Sequence, residues 1–344
     1  MLSGTATNSL PSVSVVLGSF NGERYIAQQI DSIINQSYPP KEVVVADDCS
    51  TDRTLDIVRS FINRSKIPIR IVERGNNIGF GRNFLSGSKL ASADIIAFSD
   101  QDDIWHPDKL AVCVERFSDP LIVLVAHSAQ LIDQGGASIG RFTQYIKKDC
   151  LIGPLSGDPW GGHFGFSMVF RKSLLDLVPA DKFDINLNGK ANKAHDTWVS
   201  ILARSAGKIA CISRDLVNYR QHGDNVYGVP SKHKISKCRT EIAETAQHRS
   251  RSAAEIRDLL SEVGFERTDK LPGFDRSRAV QWWNQVHDLQ QARGSMFSCT
   301  NRMMACSVWA RTLVCGSYFA PKGMLFNIKT AVKDIAAIST IKWP

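Results

Sequence analysis

Between residues 13 and 98 the chain repeats one pattern: a short apolar run, a polar turn, then a stretch with helical spacing of its apolar residues. The runs are 13–17, 42–46, 67–72 and 94–98, and the stretches between them are 23–36, 53–61 and 81–90. In 23–36 the apolar positions Tyr25, Ile26, Ile30, Ile33 and Ile34 follow a helical period, which Pro39 and Pro40 bring to a stop. Runs that are apolar without alternation are buried on both faces, and a strand-helix-strand repeat at this pitch implies right-handed crossovers and a mainly parallel sheet flanked by helices. Such sheets bind ligands past the carboxyl ends of their strands. The turns that follow the runs are therefore where function is expected.

Those turns are acidic. The second run ends at Asp47-Asp48-Cys49-Ser50-Thr51-Asp52, and the fourth at Asp100-Gln101-Asp102-Asp103, where three carboxylates fall within four residues. Carboxylates gathered at a strand end repel one another unless a cation or several donors lie between them, and hard oxygen ligands suit Mg²⁺ or Mn²⁺. The competing reading is a solvated turn that caps a helix opened by Pro107-Asp108-Lys109-Leu110. Taken together the turns read as a nucleotide-diphosphate site: Asp47 and Asp48 accept from a nucleobase or a ribose, and Asp100 and Asp102 hold a metal that neutralises the diphosphate.

Three segments, 13–22 (VSVVLGSFNG), 43–52 (VVVADDCSTD) and 98–105 (FSDQDDIW), resemble glycosyltransferase family 2 in order and in spacing. The resemblance covers roughly 11–230 and implies a GT-A fold, α/β and Rossmann-like, with a nucleoside-diphosphate-sugar donor, a divalent metal and an inverting single displacement. It places Asn21 and Glu23 in the donor loop, Asp48 near the base or ribose, and Asp100, Gln101 and Asp102 at the DxD element, with Asp102 the direct metal ligand. His195-Asp196-Thr197-Trp198 resembles the HDxW element of bacterial members, which makes Asp196 the base and His195 an orienting neighbour on the acceptor side with Trp198. A core tryptophan behind an N-cap aspartate is the plain alternative. His222, in the segment 219–225, is a further candidate for the metal or diphosphate, against an ordinary surface histidine. Trp105 and Trp160, the latter beside Gly161-Gly162, are candidates for a stacking wall on the acceptor side.

The formal charge of +8 is unevenly placed: residues 1–230 carry 24 Lys+Arg against 24 Asp+Glu, and 231–344 carry 18 against 10. Domains are accordingly expected at 1–230 (catalytic) and 231–344, a basic and mainly helical extension that either docks on an anionic membrane or packs on protein, including in a homodimer. No helix-turn-helix, RNA-recognition or zinc-finger frame accompanies the basic residues, so nucleic acid is not an expected partner. Eight cysteines without a CxxC pair, and no basic-then-apolar leader, suggest the cytoplasm, peripheral to the inner membrane face. The activity expected is transfer of a sugar, rhamnose or a hexose or N-acetylhexosamine, to a growing lipid-linked surface glycan. Two alternatives stand beside it. A sugar-phosphate nucleotidyltransferase needs a basic phosphate loop after the first strand, and 18–23 has no lysine; a non-catalytic nucleotide-sugar-binding protein is harder to separate.

Overall fold

The computed structural model describes residues 10–178, 195–223, 238–262, 271–318 and 324–343. In chain order the elements are β1 (Val13–Ser19), α1 (Ile26–Ile34), β2 (Glu42–Asp47), α2 (Thr54–Ile62), β3 (Ile69–Glu73), α3 (Phe80–Leu90), β4 (Ile95–Asp100), β5 (Ile104–Trp105), α4 (Lys109–Arg116), β6 (Ile122–Ile132), β7 (Ser138–Phe142), β8 (Cys150–Ile152), β9 (Val169–Arg171), α5 (His195–Ala206) and β10 (Lys208–Arg220). Four further helices follow: α6 (Arg239–Ser261), α7 (Arg276–Ser298), α8 (Arg302–Val314) and α9 (Met324–Thr340).

The strands form one sheet in the order β3-β2-β1-β4-β9-β6-β10-β5, with β7 on β6 and β8 on β10. The first four pair in parallel, with β1, β2 and β4 buried on both faces and β3 a half-exposed edge, so Ser19 lies opposite Asp47 and Gly18 opposite Asp100. Past β4 the sheet is mixed, as the mainly parallel mixed sheet of a GT-A fold is expected to be. The three-residue β9 enters from a loop and not a crossover helix, so it runs antiparallel to both β4 and β6.

From the sequence, 121–126 reads as a strand, 167–177 as a strand running into a helix, and 208–212 and 215–219 as two late strands. The late runs 208–212 and 215–219 are one strand, β10, whose pairing with β6 slips by a bulge between Ile212 and Asp215; that bulge hides as a break in a sequence pattern. The apolar run at 121–126 continues to Ile132, and the segment after β9 is a 3₁₀ turn, Lys172–Leu177, in place of a helix.

The two sides of the sheet carry separate cores. One holds Val13, Val15 and Leu17 of β1 against Ile26, Ile30 and Ile33 of α1. The other holds Val16, Phe98 and Trp198 and runs without interruption into Ile256, Leu259, Trp282 and Trp283 of α6 and α7. The first half of the C-terminal region thus shares the catalytic body's core, whereas α8 and α9 pack in two smaller clusters with Ala243 of α6 and Leu289, Met296 and Phe297 of α7. The boundary expected at 230/231 lies outside the described residues.

Candidate active site

The carboxyl ends of β1, β2 and β4 form a rim held together by its own polar side chains. Asp47 is fully buried and accepts from Ser19 Oγ (2.8 Å), from the Ser50 amide (2.8 Å) and from Ser50 Oγ (2.6 Å). Asp48, equally buried, accepts from the Ile78 and Gly79 amides at 2.7 and 2.9 Å. Asn21 Oδ1 accepts from the Thr51 amide (2.8 Å), and Glu23 Oε2 from the Arg53 amide (3.0 Å). The expected donor residues therefore lace the β1 and β2 loops to each other and to the segment before α3. Asn21 and Cys49 adopt left-handed backbone, at φ 48° and 72°, and flank the opening between the loops. Gln101 closes the rim by donating to the Phe20 carbonyl and accepting from its amide, both at 2.9 Å. Gly22 lies directly beneath it: a Cβ there would be 2.2 Å from Gln101 Oε1 and would displace that side chain from Phe20.

The acidic cluster after β4 has three distinct environments. Asp102 Oδ2 meets His222 Nε2 at 2.8 Å, which draws the two expected metal ligands together. Asp103, which no sequence motif singled out, is wholly buried; it accepts from the Arg220 amide and its carboxyl is pushed well above the usual range by burial and by Asp102. Asp100 is raised to about 7 by burial, by Asp102 and by Asp196. The donor set fits a hard divalent cation: two carboxylates and an imidazole, with one carboxylate driven towards its neutral form by charges that a cation would offset. Among the described residues no three His, Cys, Asp or Glu side chains enclose a metal by themselves. Mg²⁺ commonly takes one or two carboxylates and completes its shell from phosphates and water, so the set suits a metal that arrives with a diphosphate.

Two buried basic side chains back this cluster where the sequence, by their charge, argues for the surface; burial lowers Lys109 to about 7. Arg220 reaches from β10 to the Asp102 carbonyl (2.8 Å), Gln28 Oε1 (2.8 Å) and the Gln134 carbonyl (3.1 Å), and its guanidinium lies over the Tyr25 ring. Lys109 Nζ donates to the Phe166 carbonyl (2.7 Å) and lies 3.6 Å from the centre of the Trp105 ring. Trp105 is 3% exposed under that lysine, so it is a core residue of the β5 edge and not an acceptor wall.

Asp196 opens α5 at the edge of a cavity of about 180 Å³ lined by Trp160, Gly161, Gly162, His163, Thr197 and Ser200, among others. Its carboxylate accepts from the Thr197 amide at 2.6 Å, yet burial outweighs the helix terminus and lifts it to about 6. Of the expected acceptor-side residues, Trp160 and Asp196 meet in this cavity, whereas Trp198 and His195 turn away from it. Trp198 is 1% exposed in the core beneath α5. His195 stacks on Phe84 at 4.0 Å and meets Phe98 edge-on at 4.7 Å, with both ring nitrogens lacking a partner, so an orienting bond to Asp196 is absent. Sequence position alone could not separate them, since both precede or follow Asp196 within one helical turn. Trp160 is backed by the C-terminal helices: the Trp283 ring meets it edge-on at 5.7 Å and the Arg249 guanidinium lies 5.6 Å from its centre. Arg204 fixes the loop from the other side by donating to the Ser156 and Gly161 carbonyls at 2.9 Å.

A parallel half-sheet with an acidic rim, a second mixed half and a cavity beside α5 is the arrangement of the GT-A fold. Residues 14–177 match the model of glycosyl transferase family 2. The chain carries a family 2 glycosyltransferase domain. Over 82% of its length the glycosyltransferase is 25% identical to an uncharacterized glycosyltransferase of Nostoc sp., covering 86% of that relative. It is 27% identical to the dTDP-rhamnosyl transferase RfbG of Shigella flexneri, over 72% of this chain and 86% of that one. Among solved structures, residues 1–349 of TarS from S. aureus superpose with a TM-score of 0.52 at 17% identity, covering 95% of this chain and 90% of that one. That likeness places the C-terminal helices as well as the sheet within a shared fold.

Proposed function

We propose that this glycosyltransferase moves a sugar, rhamnose or a hexose or N-acetylhexosamine, from a nucleoside diphosphate to an acceptor hydroxyl with inversion. The observation that carries the reading is the placing of Asp196. It lines the Trp160 cavity, and it is near enough to Asp100 at the rim for its charge to help raise that carboxyl, which supports a base set between acceptor and donor. The loops of Asn21, Glu23, Asp47 and Asp48 shape the slot for base and ribose, and Trp160 and Gly161-Gly162 present a face for the acceptor ring to stack on. Asp100, Asp102 and His222 are the residues for Mg²⁺ or Mn²⁺. When bound, that ion supplies charge neutralisation of the leaving diphosphate.

Asp196 takes the acceptor hydroxyl proton as the oxygen attacks the anomeric carbon. The new C–O bond forms on the face opposite the breaking bond to phosphate, and the nucleoside diphosphate departs with that bond's electron pair. A value of about 6 leaves the carboxylate ionised at neutral pH while keeping it basic enough to accept the proton. RfbG, by its name, uses a dTDP-rhamnose donor, and TarS has been solved with UDP-GlcNAc; both classes are therefore first candidates here. A lipid-linked glycan at the inner membrane face is the acceptor we propose, on the strength of the basic C-terminal third. The test pairs two variants in donor-binding calorimetry and transfer assays. Asp102→Ala loses metal-dependent donor binding, whereas Asp196→Asn keeps it and loses transfer by about 10²–10⁴-fold. Equal behaviour of the two variants, or undiminished transfer by Asp196→Asn, refutes this division of roles.

A further inference from the structure

The last two helices present a surface that the catalytic reading leaves unused. From 299 to 344 the chain carries six basic residues, Arg302, Arg311, Lys322, Lys329, Lys333 and Lys342, and a single acid, Asp334. That acid is withdrawn from the surface. It is 1% exposed and takes two bonds from Arg293 of α7, at 2.8 and 2.9 Å, with the Tyr318 hydroxyl at 2.9 Å. The exposed charge described on α8 and α9 is therefore all positive.

Apolar side chains stand among these cations. Met303 is 81% exposed and Val314 86%, and with the exposed Ala310 their spacing of seven and four puts them on one stripe of α8. Ala305 and Thr312, on the opposite side, are buried. On α9, Ile328 (41%), Val332 (59%) and the exposed Ala336 form a stripe of the same kind, while Ala331 and Ile338 face inward. The two helices are packed together, with Trp309 Nε1 donating to the Ala331 carbonyl at 3.0 Å. Scattered exposed apolar residues need no explanation, but rows of them set among cations, with Ser307 the polar member of the α8 row and no exposed acid on either helix, do.

We propose that the outward stripes of α8 and α9 seat the protein on an anionic lipid surface. Met303, Val314, Ile328 and Val332 enter the headgroup boundary, and Arg302, Arg311, Lys329 and Lys333 meet the lipid phosphates. Charge selects this occupant. A second copy would bring two like-charged faces together, and a nucleic acid backbone gains nothing from exposed methionine and valine. Among the described residues no helix is long and apolar enough to cross a membrane, so the attachment lies along the surface. It does not depend on the sugar-transfer reading.

Flotation of the full chain tests it, using vesicles of phosphatidylcholine alone and vesicles with about one third phosphatidylglycerol. The expected result is binding to the anionic vesicles at least about tenfold above the neutral ones, weakened by added salt. The double variant Val314→Asp/Val332→Asp loses that binding while keeping its melting temperature, and Lys329→Gln/Lys333→Gln lowers it with no change to the apolar stripe. Equal binding to neutral vesicles, no binding to either, or unaltered flotation of both variants overturns the proposal. So does a dimer, seen by light scattering, that the aspartate variant dissociates.

Discussion

His195 is a titratable side chain held where neither of its states is well served. Both ring nitrogens lack partners, the ring stacks on Phe84 with Phe98 edge-on to it, and burial lowers it from the ordinary 6.5 to about 3. The unfolded chain therefore binds a proton between those values that the native chain does not, so stability rises with pH across that window and is lost on acidification through it. Integrated from about pH 7 to pH 5, His195 alone removes about 2 kcal/mol, towards a limit of about 5 kcal/mol below pH 3. For 344 residues, at about 2.1 cal/mol/K each, 2 kcal/mol corresponds to about 3 °C in Tm. His195→Met keeps the volume and the aromatic contacts but cannot titrate. Thermal melts of both proteins at the two pH values give the answer. The variant should lose about 3 °C less than the parent on acidification and should match or exceed it at pH 7, because two unpaired nitrogens are removed. Asp100, raised to about 7, contributes with the opposite sign but equally in both proteins, and the comparison cancels it. Identical acid losses in parent and variant would refute the reasoning, since they would mean that the ring finds a proton partner in the native state.

Gly22→Ala drives a methyl group into Gln101, which should free Phe20 and loosen the donor loop. Donor KM is expected to rise about tenfold with about 1–3 kcal/mol of lost stability, and an unchanged KM would show that Gln101 swings aside without consequence. Trp283→Phe keeps most of the packing behind Trp160 but drops the 2.9 Å bond from its Nε1 to Ser205 Oγ. It should cost about 1 kcal/mol and raise the acceptor KM while the donor Kd stays fixed; a shift in donor Kd instead would detach the C-terminal helices from the acceptor side.

What the sequence displays and what it conceals follow from the same cause. The parallel half of the sheet is legible because β1, β2 and β4 are buried on both faces and so write near-uninterrupted apolar runs, with only the edge strand β3 broken by exposed Arg70, and the rim is legible because loops between such strands have few reasons to be acidic. β7, β8 and β9 are short, and β7 and β8 are largely exposed, so their burial leaves no periodic trace. At the site the failures share a form. His195 and Trp198 are expected at the site because 195–198 resembles an HDxW element, and Trp105 as a stacking wall, but a strand or a helix turns neighbouring side chains to different sides, and these three face the core. Conversely, Lys109 and Arg220 carry charges that argue for solvent, and only the backbone carbonyls and aromatic rings brought in by Phe166, Trp105, Gln134 and Tyr25 make their burial tolerable. These buried basic side chains hold in place the acidic cluster that the sequence advertised: Lys109 lies close enough to act on Asp100 and Asp103, and Arg220 ties the Asp102 carbonyl of the turn to the Asp133 carbonyl after β6. The visible carboxylates name the chemistry, and the hidden basic side chains determine where it takes place.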